Sequence, residues 1–433
     1  MVGKGTLIVI IGFTIMFGTA GQYWNRTSRV AIENFVDYYD STTSHNIAVS
    51  MANIAADSVF QNPADTNLNL NGSFLGGTYN LRTFTVVIGG ARYVQLRATS
   101  SYRGRSGFRR DTVKALLKPR TFNEYAFFSQ NENSTYWITG DTLWGPFHTE
   151  DRIYLSGTPV FYGKVTARNG TYPSRIPSSS ANPYFYGGHE WGVSIPLPTD
   201  ISKTTASATT TFAYSGSSGS CDVYFTFSSD ATGGKVTYHK TTATGSYPYT
   251  VTTTPDTTVT LSSLGNPPVI CVTNGNAHVK GTVDGRVTVV SAQGATGSTR
   301  SGNVAIEGSL LYKSDPRNGA SDDMLGLVAD NNVRLKTQPS PGDVYLDAAI
   351  FARNGDFGYD DYDGTVHDQA MGTIYLYGSI TNRNRGSVGR FNTTTNTITT
   401  GYQKNYKYDE RFYFSSPPAF PSTNTFQVVA WRE

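Results

Sequence analysis

The chain has 433 residues, 44 of them glycine and 19 proline, and charged residues make up only 15% of it, so 28 tyrosines and many Thr, Ser and Asn carry the polarity. That balance, with short β-branched runs between Gly and Asn, favours an extracytoplasmic β-rich protein over a cytosolic helical one. A formal charge of +3, dispersed and without a basic stripe interleaved with aromatics, excludes a nucleic-acid-binding surface.

The first sixty residues organise the rest. After the short positive start Met1 to Gly5, no charged side chain occurs from Thr6 to Asn25, and neither glycine nor proline from Gln22 to Asn62. The apolar run from Thr6, carried to Tyr23 and Trp24, approaches the ~20 residues that cross a hydrocarbon core, with amphipathic aromatics at the interface end. A cleaved secretory signal is the alternative, because Gly18-Thr19-Ala20 is a passable cleavage site. Beyond the run, Val30, Ile32, Phe35, Val36 and Tyr39, then Ile47, Ala48, Met51, Ala52, Ile54, Ala55 and Val59, recur largely at helical spacing on one face. The spacing predicts one helix over 6–62, with the polar cluster Ser41 to Ser44 as the place where it could break.

A leader ending in Lys4-Gly5, an immediate Thr-Leu-Ile-Val-Ile run and a long Ala-containing amphipathic helix resemble type IV pilins and the pseudopilins of type II secretion. The resemblance implies processing after Gly5, a new terminus at Thr6, and a helix that bundles with other pilin-like subunits in the membrane and then in a surface filament. Major pilins have a glutamate at the fifth mature position, where this chain has Ile10. That departure implies a minor or tip-type subunit, or an uncleaved anchor.

Pro63 and the Asn-rich segment Asn67 to Gly72 predict the end of the helix and a loop. Alternating segments at 78–88 and 93–99, joined by Gly89 and Gly90, predict a hairpin, with 111–117 as a third strand of a small antiparallel sheet over 63–122. Arg103, Arg105, Arg109 and Arg110 form the one local basic feature, expected as a solvated hairpin tip.

From Tyr125 onward, strands of four or five residues end in Gly or Asn at intervals of roughly eight to twelve residues. Examples lie at 135–140, 152–157, 160–166, 277–283, 286–290, 304–311, 325–329, 344–352 and 373–380. Repeated turning at small or left-handed-tolerant residues predicts a right-handed parallel β-helix over 123–198 and 276–433, in preference to a β-sandwich. Between these, 199–275 is Ser-, Thr- and Gly-rich and predicts an inserted antiparallel module. Cys221 and Cys271, the two cysteines of the chain, fall within it and either pair as a disulfide or stay free.

The phrases Gly145 to Glu150, Gly157 to Gly163, Asp322 to Ala329, Tyr406 to Arg411 and Pro417 to Pro421 resemble a group of bacterial envelope proteins that join a pilin-like amino terminus to a β-helical body. That likeness covers most of 1–198 and 276–433. It implies architecture and envelope location and carries no activity.

Chemistry is sparse. His148 beside Glu150 and Asp151, and His189 beside Glu190, lack the three or four spaced ligands of a zinc site and read as polar residues at turns. Asp322 and Asp323 are candidates for groove carboxylates of a glycan-cleaving β-helix. Asn354 to Gly364 gathers Asp356, Asp360, Asp361 and Asp363 among glycines, a candidate Ca²⁺ loop without the EF-hand glutamate. The sequence therefore predicts a non-enzymatic, membrane-anchored subunit, the alternative being a secreted or surface-anchored carbohydrate-binding or carbohydrate-cleaving β-helix protein.

Overall fold

The computed structural model describes residues 3–62, 66–88, 91–105, 107–213, 219–244, 250–294, 301–392 and 397–433. The predicted turn at Gly89 and Gly90 and the helix stop at Pro63 lie outside them. The protein is mainly β, about half strand, with one long amino-terminal helix. It divides into two compact units, Met1–Pro119 with Asn424–Glu433, and Arg120–Thr423.

In the first unit a single helix runs unbroken from Gly3 to Gln61, about 88 Å at ~1.5 Å per residue. The Ser41 to Ser44 cluster does not interrupt it. Thr43 satisfies its hydroxyl by donating to the Tyr39 carbonyl at 2.8 Å, and Ser44 is buried with its Oγ 2.8 Å from the Ser100 Oγ. Back-bonding and a buried partner remove the two reasons such residues leave helices. The residues from Gly3 to Asn34 are exposed throughout, Tyr23 and Trp24 included. This helix is long and apolar enough to span a membrane.

Its carboxyl-terminal third packs on an antiparallel sheet. Ala48, Met51, Ala52, Ala55 and Ala56 meet Leu81, Leu96, Ala98, Val113 and Ala115, and Val59 meets Val94 and Leu117. Alanines on both sides let the backbones approach, and the buried Ile47, Met51 and Val59 each contribute roughly 1.5–3 kcal/mol by leaving water. The closest approach is at Gly104, where an added Cβ would lie 1.9 Å from the Asp40 carboxylate.

The sheet is larger than the sequence predicted, with its strands in the order Asn69–Phe74, Gly77–Ile88, Ala91–Gly104, Gly107–Thr121 and Ser422–Arg432. Two expectations are corrected here. The Asn-rich segment is mostly an edge strand, because Leu70, Asn71 and Gly72 pair with Leu81, Asn80 and Tyr79. The end of the chain, assigned to the body over 276–433, returns as the opposite edge strand of this sheet. The arginine cluster is not simply a solvated tip either: Arg109 pairs with Asp37 at 2.8 Å, the Arg105 amide donates to Asp40 at 3.1 Å, and Arg103 lies over the Phe108 ring.

The second unit is built on parallel ladders. One runs Thr210, Ile270, Val289, Leu327, Ile350, Ile380, Phe127, Phe147, Val165, His189, each residue in register with the next. From Ile270 to Val165 this column is apolar and buried, so its branched and aromatic side chains stack into a continuous core. The order has a discontinuity in sequence but not in space. Ala370–Asn384 pairs with Phe127–Asn131, so the late and early strands of the unit meet within the ladder.

A second parallel ladder links 223–227, 277–279, 304–306, 333–335 and 357–359. A file of side-chain amides runs along its start. Asp222 Oδ1 accepts from the Asn276 amide nitrogens at 3.0 and 2.9 Å, Asn276 Oδ1 from Asn303 at 3.1 and 2.9 Å, and Asn303 Oδ1 from Asn332 at 3.2 and 3.2 Å. Asn332 Oδ1 then accepts from the Asp356 amide at 3.1 Å. Each turn thereby satisfies the backbone donor of the next. Asn303→Ala is expected to cost about 1–3 kcal/mol by stranding the Asn332 donors, read as a lower denaturant midpoint. A surface change such as Lys280→Ala should leave the midpoint within ~0.5 kcal/mol.

Glycines at 145, 163 and 187 permit equally close stacking on the other side. A Cβ at Gly163 would lie 2.0 Å from the Gly145 carbonyl oxygen, and one at Gly187 2.3 Å from the Gly163 carbonyl carbon. The adjacent rings follow the same stack, with Trp144 on Tyr162 at 3.9 Å and Tyr162 on Tyr186 at 5.2 Å between centroids.

The predicted insert at 199–275 is only partly antiparallel. Gly219–Asp230 and Gly233–Thr244 form a hairpin, extended by Thr250–Thr253 and Thr257–Thr260. Thr210–Ala213 and Val269–Thr273 nevertheless belong to the main ladder, and Gly219–Asp230 also pairs in parallel with Ala277–Val283. Cys221 and Cys271 are both buried and unbridged. Cys221 stands opposite Thr242 in the hairpin, whereas Cys271 stands between Thr211 and Val290 in the ladder.

Candidate functional site

The second unit contains a cleft of about 480 Å³ where its early and late strands meet. One wall is the segment 135–141 after the Phe127–Asn131 strand. The other is 382–391 with the strand Thr397–Tyr408.

Under the cleft lies a buried ion pair. Glu132 is fully buried, Arg385 is 4% exposed, and Arg385 Nη1 donates to Glu132 Oε2 at 2.9 Å. The same guanidinium nitrogen donates to the Thr135 carbonyl at 3.0 Å, and its carbon sits 4.1 Å from the Trp137 ring centroid. Trp137 Nε1 donates to Glu132 at 3.3 Å, and the Ser129 hydroxyl donates to the other carboxylate oxygen. Every strong acceptor of Glu132 is thus engaged, which is what allows a charge pair to remain dry.

Closer to solvent, Lys404 Nζ lies 4.0 Å from Asp141 Oδ1 with the lysine side chain 36% exposed. Desolvation by the surrounding wall holds the Lys404 ammonium pKa below its ordinary value, against the pull of Asp141. Asp141 Oδ2 accepts from the Ile138 amide at 3.0 Å. Two polar atoms of the lining, Asn382 Oδ1 and the Tyr402 hydroxyl, are buried without a hydrogen-bond partner among the described residues. Burial pushes the Tyr402 phenol pKa well up, so it stays a neutral hydroxyl.

The residues singled out from sequence lie elsewhere. The four carboxylates of the 354–364 loop turn to separate partners. Asp356 pairs with Arg334 at 3.0 Å, Asp360 with Lys336 at 2.5 Å, and Asp363 accepts from the Thr365 hydroxyl at 2.7 Å. Asp361 accepts from the Val366 and His367 amides at 2.7 and 2.8 Å. No three acidic, His or Cys side chains gather as a metal site among the described residues. In this arrangement Arg334, Lys336 and local amides engage carboxylate oxygens that a Ca²⁺ ion would otherwise use.

His148 is fully buried, with Nδ1 2.8 Å from Thr166 Oγ1 and Nε2 3.0 Å from Glu150 Oε1. The hydroxyl, imidazole and carboxylate stand in the order of a nucleophile chain. Phe128 and Tyr125 cover the ring, so no substrate reaches it and the set is a packing network. Burial holds His148 below the ordinary imidazole range, against the pull of Glu150. His189 is exposed and stacks on Trp191, and Glu190 pairs with Lys164. Asp323 is buried and accepts from the Gly285 and Ser314 amides. Gly5 and Thr6 lie at the exposed start of the helix.

Sequence reasoning missed the cleft because Glu132 and Arg385 are 253 positions apart. Locally, each reads as one charge among turn residues. The sequence trace is Arg385, directly after the Ala370–Asn384 strand.

A second network titrates. His278 Nδ1 lies 2.6 Å from Glu307, and Nε2 3.9 Å from Asp222. The ring stacks on Tyr224, which stacks in turn on His239. Burial works to lower the His278 pKa, but the Asp222 and Glu307 carboxylates outweigh it, so it is raised. Glu307 is lowered, first by its hydrogen bond to His278. A raised histidine stabilises the fold below its unfolded pKa of ~6.5 and loses that contribution as pH climbs through the folded value. A lowered glutamate stabilises above ~4.5 and loses that contribution as pH falls through the folded value. His278→Gln should therefore lower the melting temperature most between about pH 4.5 and 6.5, with the gap to wild type shrinking above that window. A gap that does not vary with pH would contradict the pairing.

Comparison of the chain with protein-family models, with curated proteins and with solved structures returned no match.

Proposed function

We propose that this chain is a non-enzymatic structural subunit of the pilin or pseudopilin type, anchored in the membrane by its amino-terminal helix and displaying its second unit outside the cytoplasmic membrane. The observation that carries this reading is the division of labour along one unbroken helix. Residues 3–34 are apolar for twenty positions and bare, while 47–59 are locked onto a sheet by small side chains. A soluble protein has no use for an exposed apolar helix of that length, whereas a bilayer, and later a bundle of identical helices, would cover it. The exposed Tyr23 and Trp24 suit the interface.

We read the second unit as a parallel β-helix. In-register columns of apolar side chains, the file of asparagines and the stacked glycines and rings support that reading. Ile10 in place of a glutamate supports a minor or tip-type subunit over a main filament protein. The engagement of Glu132 by Arg385 and the burial of His148 support a display role over catalysis.

Assembly is tested by a single cysteine at the exposed Ile15, since both native thiols are buried. Membranes carrying Ile15→Cys should give cross-linked dimers or multimers with a short thiol-reactive linker, and a variant with cysteine at the buried Ala52 should not. A strictly monomeric Ile15→Cys protein in membranes that also hold the partner subunits would remove the assembly part of the reading.

A further inference from the structure

We propose that the outer face of the amino-terminal sheet, turned away from the helix, binds an acidic polysaccharide. Between residues 69 and 121 the sequence has ten Lys and Arg and one acid, Asp111, and Asp111 pairs with His45 of the helix. Strand register gathers three of the cations into one row. Arg82 stands opposite Arg97, and Arg97 opposite Lys114. All three are exposed, while Leu81, Leu96, Ala98, Val113 and Ala115 beside them are buried toward the helix. In sequence they are 15 and 17 positions apart, so no local stripe shows them. At ~4.8 Å between strands the row is about 10 Å long. Like charges directly opposite weaken a strand pair, and here three stand abreast. Among the described residues, no side chain forms an ion pair or hydrogen bond with those of Arg82, Arg97 or Lys114. A row that works against the fold and is left open to solvent fits an anionic partner, since guanidinium groups hold carboxylates through paired hydrogen bonds.

The next row on the same face selects among polyanions. Phe84, Gln95 and Leu116, two residues along each strand, are again in register. The Phe84 ring is 39% exposed, and the Gln95 amide has no side-chain partner among the described residues. A ring for the C–H face of a sugar and an amide for its hydroxyls thus lie ~7 Å from the cations that would hold its carboxylate. Nucleic acid fits this face less well. Five strands are about 19 Å across, against a ~12 Å major groove. Single strands need successive free rings, and Phe108 on this face lies under Arg103. A bilayer is out of reach of the row. The helix core beneath it starts at Ala48, about 36 Å from Trp24 at ~1.5 Å per residue, whereas charges act over only ~8–10 Å at physiological salt. The face binds or fails to bind whether or not the helix spans a membrane, so failure here leaves the anchoring reading intact.

The test uses the full chain in a detergent without a sugar headgroup and four probes of matched charge: oligomers of polygalacturonate and of hyaluronate, poly-glutamate and single-stranded oligo-dT. At least one uronate oligomer should bind more tightly than poly-glutamate and oligo-dT, and more weakly as salt rises. Arg97→Gln should weaken that binding about tenfold, and the triple change Arg82→Gln, Arg97→Gln, Lys114→Gln should abolish it. These side chains are exposed and repel one another, so neither variant should lower the melting temperature. Phe84→Ala should weaken the uronate oligomer about tenfold and leave poly-glutamate unchanged. Lys280→Ala, in the second unit, should bind as wild type. The proposal is overturned if neither uronate oligomer binds, or if the triple variant binds as wild type. It is overturned equally if poly-glutamate or oligo-dT binds as tightly, or if Phe84→Ala has no effect, since the face would then read charge alone.

Discussion

Replacing Glu132 with alanine is expected to destabilise the second unit by about 3–5 kcal/mol, because it leaves the Arg385 guanidinium buried and unpaired. Arg385 is 4% exposed and has no water to retreat to. Its remaining partners would be the Thr135 carbonyl and the Trp137 face, each of which contributes less than a carboxylate. The Trp137 indole N–H would lose its acceptor as well. Because Glu132 follows Phe127–Asn131 and Arg385 follows Ala370–Asn384, the loss would fall where the early and late strands join. The double change Glu132→Leu with Arg385→Met removes both charges, and it should recover most of the loss. Chemical denaturation of the four proteins gives the coupling directly. Additive single effects would show that the pair is not linked as described.

The second large effect concerns the helix. Ile11→Arg with Ile15→Arg should move the protein out of the membrane fraction. Each arginine near the centre of a span costs about 2.5–3.5 kcal/mol on an insertion scale, and each lost isoleucine adds about half a kcal/mol, for roughly 6–8 kcal/mol together. Both positions are exposed and lie more than thirty residues before the buried Ile47 to Val59 stretch. The two folded units should therefore melt as they do in the wild type. Retention of the double variant in carbonate-washed membranes would count against a spanning role for this segment.

What could be read from the sequence divides along physical lines. The helix was legible because its signals are local: absence of breakers, apolar spacing and an uncharged start all act within a few residues. The mainly β character of the remainder was legible for the same reason. Strand partners were not, because register depends on residues far apart. The Ser422–Arg432 strand pairs at the edge of a sheet begun by Asn69–Phe74, and nothing local in Val428 or Val429 names that destination.

The partners of the acidic loop were not legible either: Arg334, on the Val333–Leu335 strand, pairs with Asp356, and Lys336, just after that strand, pairs with Asp360. The placement of the cysteines was not legible for the same reason: Cys221 stands in the hairpin and Cys271 in the ladder, and only long-range register decides that. The cleft was invisible because neither half of it is a motif. It exists only where Phe127–Asn131 meets Ala370–Asn384.

The membrane-anchored, pilin-like reading rests on the helix keeping its apolar half in the mature protein. Amino-terminal sequencing of the chain purified from membranes tests that most directly. A start at Thr6, or at Met1 for an uncleaved anchor, is the predicted result; a start at Gly21 would mean that the apolar run is a discarded signal, and would contradict the account.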